Sequence, residues 1–259
     1  MANNKPKKEI TETMKKDYVT NKLLLVFTFA FALLLFFANI GRMMKNITTF
    51  MLSWNITKVV ACVGAGLFVV GIIMLIVEKV KGINTKYRLL SGKNISVVSA
   101  VIAISAAALS FIFSPEMLTL LYIFIPALVV LYIVYYSYQR EFFMVALVSI
   151  LSGVSIWLLM SDLVNSGDKF IFVVAEILLV LLTVVTIVAN VRGGKLSFFG
   201  REVALFKADA KYALVYIAHA LSILLLAAAL FFPTLAIYFI FALVAYILIT
   251  GIYFTVKLI

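Results

Sequence analysis

The sequence predicts an all-α polytopic membrane protein with eight transmembrane helices. Three observations predict it. Eight apolar stretches lie near residues 23–40, 57–77, 95–113, 117–137, 142–160, 170–190, 212–231 and 234–256. A helix rises about 1.5 Å per residue, so about 20 apolar residues cross a hydrocarbon core about 30 Å thick. Composition agrees: 65% of the residues are hydrophobic and 13% charged, with mean hydropathy +1.18. A soluble domain of this length could not hide so much apolar surface. The third observation is the placement of charge within a net +11. If the helices alternate, 18 lysines and arginines fall on one side and only four, Arg42, Lys45, Lys58 and Lys169, on the other. The positive-inside rule then places both termini in the cytoplasm, with the chain in the cell membrane. An odd number of spans would scramble this partition.

Residues 1–21 read as a basic cytoplasmic tail with a short helix around 10–18, and 22–259 as a single membrane domain. The first 22 residues are too polar, and the run after them too long, for a cleavable signal peptide. Met1-Ala2-Asn3 and Lys257-Leu258-Ile259 carry no lipidation motif. Residues 42–56 form the largest external loop. Within it Ile47, Phe50, Met51 and Trp54 repeat at helical spacing, predicting a short interfacial helix anchored by Trp54. Phe199, Val203 and Phe206 suggest a matching helix over 198–211. Three Asn-x-Ser/Thr triplets, at Asn46, Asn55 and Asn94, are read as incidental.

In span two, Ala61, Gly64, Ala65 and Gly71 offer small surfaces. Ser99, Ala103, Ala106, Ala107 and Ser110 do so in span three, and Ala218, Ser222 and Ala227 to Ala229 in span seven. Lipid is as apolar as leucine, so such faces, which let backbones approach, predict the inner seams. The Phe-rich spans one and eight are expected to face lipid or a partner. Pro126, in mid-span four, removes one backbone hydrogen bond and predicts a kink.

The halves 22–140 and 141–259 resemble each other. Val80-Lys81-Gly82 ends span two and Val191-Arg192-Gly193 ends span six. Pro115 and Pro233 tip the two following hairpins. A duplication into two parallel four-helix repeats is one explanation. Chance is the other, because apolar segments draw on few residue types.

Chemistry is sparse. Glu176 in span six and His219 in span seven are the ionisable residues clearly within spans. A mid-bilayer charge costs about 2.5–3.5 kcal/mol on insertion scales, so both are candidate functional residues. Their depths differ by roughly 10 Å, which argues against pairing. His219 is expected to bond a neighbouring helix. Glu176 must be protonated, hydrated or paired. One histidine and one cysteine exclude the usual zinc sets. Cys62 is read as a small core residue. No nucleophile elbow or Walker sequence is present, so no cofactor, metal or catalytic residue is expected. Lys79, Lys81, Lys86, Arg88, Lys93, Arg192, Lys195, Arg201, Lys207 and Lys211 cluster in two loops. They read as topology determinants that touch anionic head groups or partner proteins on the cytoplasmic side. Their loops lack the aromatic interleaving that nucleic acid would need. The expected function is a non-enzymatic subunit or scaffold binding other membrane proteins. A transporter or flippase for a small or lipidic substrate is the alternative.

The charge partition makes a topological prediction. Reporter fusions after residues 20, 87, 200 and 259 should read cytoplasmic, and one near 166 external. An external signal at 87 would overturn the span count.

Overall fold

The computed structural model describes residues 5–82, 91–161, 170–198, 201–206, 210 and 212–258. Eight helices are long and apolar enough to cross a membrane. They are α1 (Lys5–Met44), α2 (Ile47–Val80), α3 (Gly92–Phe111), α4 (Pro115–Ser137), α5 (Arg140–Met160), α6 (Phe170–Val191), α7 (Tyr212–Phe231) and α8 (Ala236–Leu258). A short antiparallel hairpin, β1 (Lys195–Phe198) and β2 (Arg201–Ala204), follows α6. The chain divides into two compact units, Met1–Val129 and Val130–Ile259.

Three local expectations are corrected. The N-terminal segment is not a tail with its own short helix over 10–18, because α1 runs unbroken from Lys5 into the first span. Nor is 47–54 a separate interfacial helix. It forms the first turns of α2, whose N-cap Asn46 accepts the Thr48 N–H at 3.1 Å. The helical spacing around Trp54 was real, but nothing between Trp54 and the next apolar run breaks a helix. The segment 198–211 starts as a hairpin, with Phe199 and Lys207 to Asp209 outside the described residues. Gly193 and Gly194, at φ 62° and 87°, end α6 and turn the chain. The Gly194 carbonyl then accepts the Leu205 and Phe206 N–H groups at 2.8 and 3.0 Å.

The first unit is organised by the α2–α3 seam. Ser53, Thr57, Gly64, Gly71 and Glu78 are buried along α2, the last four at a spacing of seven. On α3 the facing stripe is Gly92, Ser96, Ser99, Ala103, Ala106 and Ser110, alternating four and three. Every member is small. A Cβ built on Gly64 would lie 2.9 Å from the Ala103 nitrogen and one on Gly71 2.8 Å from the Ser96 nitrogen, and one on Gly92 would run into the Leu75 backbone. Each step up α2 matches an equal step down α3, so the antiparallel register is continuous. The serines add no orphan groups here. Ser96, Ser99 and Ser110 donate to carbonyls of their own helix, at 2.7, 2.6 and 2.7 Å. Of the seam residues expected from sequence, Gly64 and Gly71 are buried, Ala61 is half-buried and Ala65 is exposed.

The second unit is built around α5, which packs most closely on α7 and α8. Val145, Val148, Ser152 and Ile156 of α5, and Val215, Ala218, Ser222, Leu226 and Ala229 of α7, lie in its core. The Phe-rich helices do not simply face outward: Phe27, Phe31 and Phe241 are exposed, but Phe37 and Phe254 are fully buried.

The packing does not repeat between halves. In the first unit α3 packs on α2, whereas its counterpart α7 packs most closely on α5. Part of the sequence likeness has a local counterpart. Gly82 and Gly193 share φ values of 61° and 62° as the glycines that end α2 and α6. Pro115 and Pro233 each open a helical turn. The helix α4 continues through Pro126 as one element.

The seam yields a paired prediction. Gly71→Ala and Gly92→Ala push a methyl into backbone and should lower stability by about 1–3 kcal/mol. Gly66→Ala meets nothing within 4 Å and should gain about 0.5–1 kcal/mol from helix propensity. Thermal unfolding of the purified variants in one detergent measures both.

Candidate functional site

Polar groups within the spans decide what this protein can do, because hydrocarbon offers them no water. His219 is 1% exposed and reaches from α7 to α6. Its Nδ1 lies 3.0 Å from Thr183 Oγ1 and its Nε2 3.1 Å from Thr186 Oγ1. The two threonine hydroxyls also lie 2.8 and 2.9 Å from the Leu179 and Leu182 carbonyls of their own helix. Each hydroxyl holds one hydrogen, and a neutral imidazole holds one more. Three hydrogens serve four contacts, so with a neutral ring one threonine gives its hydrogen to the imidazole. The carbonyl it leaves keeps its helical N–H. With both nitrogens engaged, the ring is a staple between α6 and α7 rather than an open ligand.

Further bonds close the unit, one of them from Asn190 Nδ2 of α6 to the Tyr216 hydroxyl of α7 at 2.9 Å. Ser152 Oγ donates to the Ser222 carbonyl at 3.0 Å, joining α5 to α7. The Tyr246 hydroxyl donates to the Leu214 carbonyl at 2.7 Å, joining α8 to α7.

Glu176 is different. It is half-buried on α6, and its Oε2 is buried without a hydrogen-bond partner. The threonines nearest in sequence go to His219. Glu176 borders a stripe of Val173, Ile177, Val180, Val184 and Ile187, each between 46% and 53% exposed. All five are β-branched, and they alternate by four and three. The buried face of the same helix is Phe172, Ala175, Leu179, Thr186 and Ala189.

Sequence reasoning passed over two other carboxylates. Glu78, 8% exposed, closes the α2 heptad. Both its oxygens accept the Gly92 N–H at 3.1 Å, at the positive N-terminal end of α3. The seven-residue spacing from Thr57 was the signal that could have found it. Glu141, 2% exposed, opens α5 with one oxygen unbonded. The buried Tyr212 hydroxyl, at the start of α7, also lacks a partner. No sequence pattern distinguishes Glu141 from an ordinary residue of a first helical turn.

A cavity of about 490 Å³ opens at the end of the first unit that carries the α1–α2 and α3–α4 turns. Ala38, Gly41, Arg42 and Lys45 line it from the α1 side, Phe50 from α2, and Leu118, Thr119 and Tyr122 from α4. No sequence pattern points to it, because its walls come from segments up to 84 positions apart (38 to 122).

Among the predicted basic contacts, Lys79, Lys81, Lys93, Arg192 and Lys195 are exposed. Lys86, Arg88, Lys207 and Lys211 lie outside the described residues, and of Arg201 only the backbone, in β2, is described. Cys62, expected in the core, is exposed on α2, because the small seam of α2 takes Gly64 instead. No group of three or more His, Cys, Asp or Glu that could hold a metal occurs among the described residues. No protein-family model, curated protein or solved structure matches the chain.

The staple makes a prediction of its own. Double-mutant cycles pairing His219→Leu with Thr183→Val, and with Thr186→Val, should each give a coupling of about 0.6 kcal/mol, the usual size of an interhelical bond in a membrane protein. The cycle of His219→Leu with Glu176→Gln should give none. Unfolding in mixed micelles measures all three.

Proposed function

We propose that this chain is a non-enzymatic, multi-pass subunit of the cell membrane that binds partner membrane proteins through its helices, with both termini cytoplasmic. The observation that carries the proposal is Glu176. Within the second unit His219, Ser152, Tyr246 and Asn190 all find interhelical partners in the chain itself. The Glu176 carboxyl is left with a buried, unbonded oxygen beside an exposed stripe of β-branched residues. Heptad spacing is the pattern by which one helix receives another, and a polar group beside the seam fixes depth and register. The partner is then a transmembrane helix with a hydrogen-bond donor at the depth of Glu176. The exposed cations Lys79, Lys81, Lys93, Arg192 and Lys195 support a cytoplasmic surface that holds anionic head groups.

A transporter or flippase for a small or lipidic substrate is the second reading, favoured by the cavity beside Arg42 and Lys45. Nothing in the chain's inventory supports covalent catalysis.

The test uses a photo-crosslinking residue at position 173 or 180 in cells. It should trap a membrane-embedded protein, and Glu176→Leu should abolish the adduct while the purified variant keeps its thermal stability. Lipid adducts alone, or an adduct indifferent to Glu176→Leu, would remove the subunit reading. Loss of coupled uptake in Glu176→Gln, with adducts intact, would favour the transporter.

A further inference from the structure

We propose that the cavity bounded by Arg42, Lys45, Thr119 and Tyr122 binds the phosphate head group of an anionic phospholipid, in the leaflet on the side of the α1–α2 turn.

The argument begins with charge. The partition of basic residues leaves that side only four cations, and two of them line this one cavity. Lys58, a third, has a partner: its Nζ lies 3.5 Å from the centre of the Trp54 ring. The Trp54 indole N–H in turn donates to the Ser110 carbonyl at 3.1 Å. Among the described residues the Arg42 and Lys45 side chains make no ion pair and no hydrogen bond. Glu116, the acidic residue in the first turn of α4, neither lines the cavity nor pairs with either cation. Two unneutralised cations facing a shared space form an anion site, and arginine suits phosphate through its planar fork.

Shape selects a lipid over a soluble anion. Ala38, Met44, Phe50, Phe113, Pro115 and Leu118 make the rest of the wall mainly apolar. The Phe50 and Phe113 rings meet edge to face at 5.2 Å. Tyr122 lies seven positions beyond Pro115 in α4, so the cavity reaches roughly 10 Å into the span. Cations and apolar side chains share the turn end, and the Thr119 and Tyr122 hydroxyls lie deeper in the same wall, so one space offers charge for a phosphate, hydroxyls for ester oxygens and apolar surface for the chains they carry. Gly41 helps to keep it open: a Cβ there would crowd Leu118 Cδ1 at 3.3 Å and touch the Tyr122 hydroxyl at 3.5 Å. The volume, about 490 Å³, falls in the range of small-molecule sites, about 300–1,000 Å³.

Native mass spectrometry of the full chain, exchanged into micelles carrying equal phosphatidylglycerol and phosphatidylcholine, tests this. The wild type should retain phosphatidylglycerol preferentially. Arg42→Gln with Lys45→Gln should weaken retention roughly 25-fold, from about fivefold per surface cation. Lys58→Gln, with its cation outside the cavity, should leave it unchanged. Gly41→Leu, which alters volume and no charge, should also lose the lipid, so a folding defect in the double variant would not hide the answer. Equal retention of the two lipids overturns the proposal, as does loss on Lys58→Gln equal to that of the double variant. Displacement by millimolar inorganic phosphate overturns it too and reassigns the site to a soluble anion. These outcomes are independent of Glu176 and of any protein partner.

Discussion

A polar group inside hydrocarbon has only the protein to bond to, and that constraint shapes both units. It also removes the usual driving force for packing, since apolar side chains gain nothing by leaving lipid for each other. Helices must then associate through close backbone approach or through interhelical hydrogen bonds. The first unit uses approach: Gly64, Gly71 and Gly92 bring α2 and α3 within a methyl's width of each other's backbone. The second uses bonds: one imidazole, one serine and one tyrosine tie α5, α6, α7 and α8 together. Serine serves both methods. Along α3 it bonds its own helix and acts as a small residue, while Ser152 crosses to α7 and acts as a link.

The two methods leave different surfaces. A glycine seam satisfies itself along its whole length, so what remains of α2 is apolar and lipid-compatible, with Val59, Val63, Val70 and Ile73 more than half exposed. Bonds between side chains are discrete, and a helix carrying more polar groups than its neighbours can answer is left with a remainder. On α6 the remainder is Glu176. Thr183 and Thr186, about two and three turns further along, are consumed by His219. They lie too far along the helix to reach the carboxyl, and their depth follows from α7 rather than from Glu176.

The span count was legible because it depends on length and composition alone. The α2–α3 seam was half legible: the small residues were visible, but Ala61 and Ala65 look as suitable as Gly64 until the facing heptad of α3 selects among them. Breaks between elements were harder to read. Lys45-Asn46 turns the chain in two residues, and the polar stretch after it stays helical, because polarity marks exposure and not the end of a helix. The likeness of Lys81-Gly82 to Arg192-Gly193 has a geometric side that the sequence alone does not display: both glycines end a helix at a left-handed φ. The cavity was not legible at all, since Arg42 and Tyr122 approach only once α1 and α4 are folded.

Three carboxylates near or within the spans then separate by what surrounds them. Glu78 meets the free N–H of a helix start, and two 3.1 Å contacts to Gly92 answer its charge at the membrane edge. Glu141 is more deeply enclosed, at 2% exposure, and shares its end of the α5–α7 seam with an equally unbonded Tyr212 hydroxyl. That makes it a residue of the unit's interior, where any answering group must come from the same chain. Glu176 alone combines an unanswered oxygen with an exposed face of its own helix. A group for it can arrive from outside without unpacking the unit, and a helix seated on Val173, Ile177 and Val180 would bring one to the right depth. Burial alone ranks these residues wrongly for function, because the most buried carboxylate is the least accessible to a partner. The useful quantity is the unmet hydrogen bond next to an uncovered face, and on that measure Glu176 ranks first among the three, which is why the proposed partner is seated there.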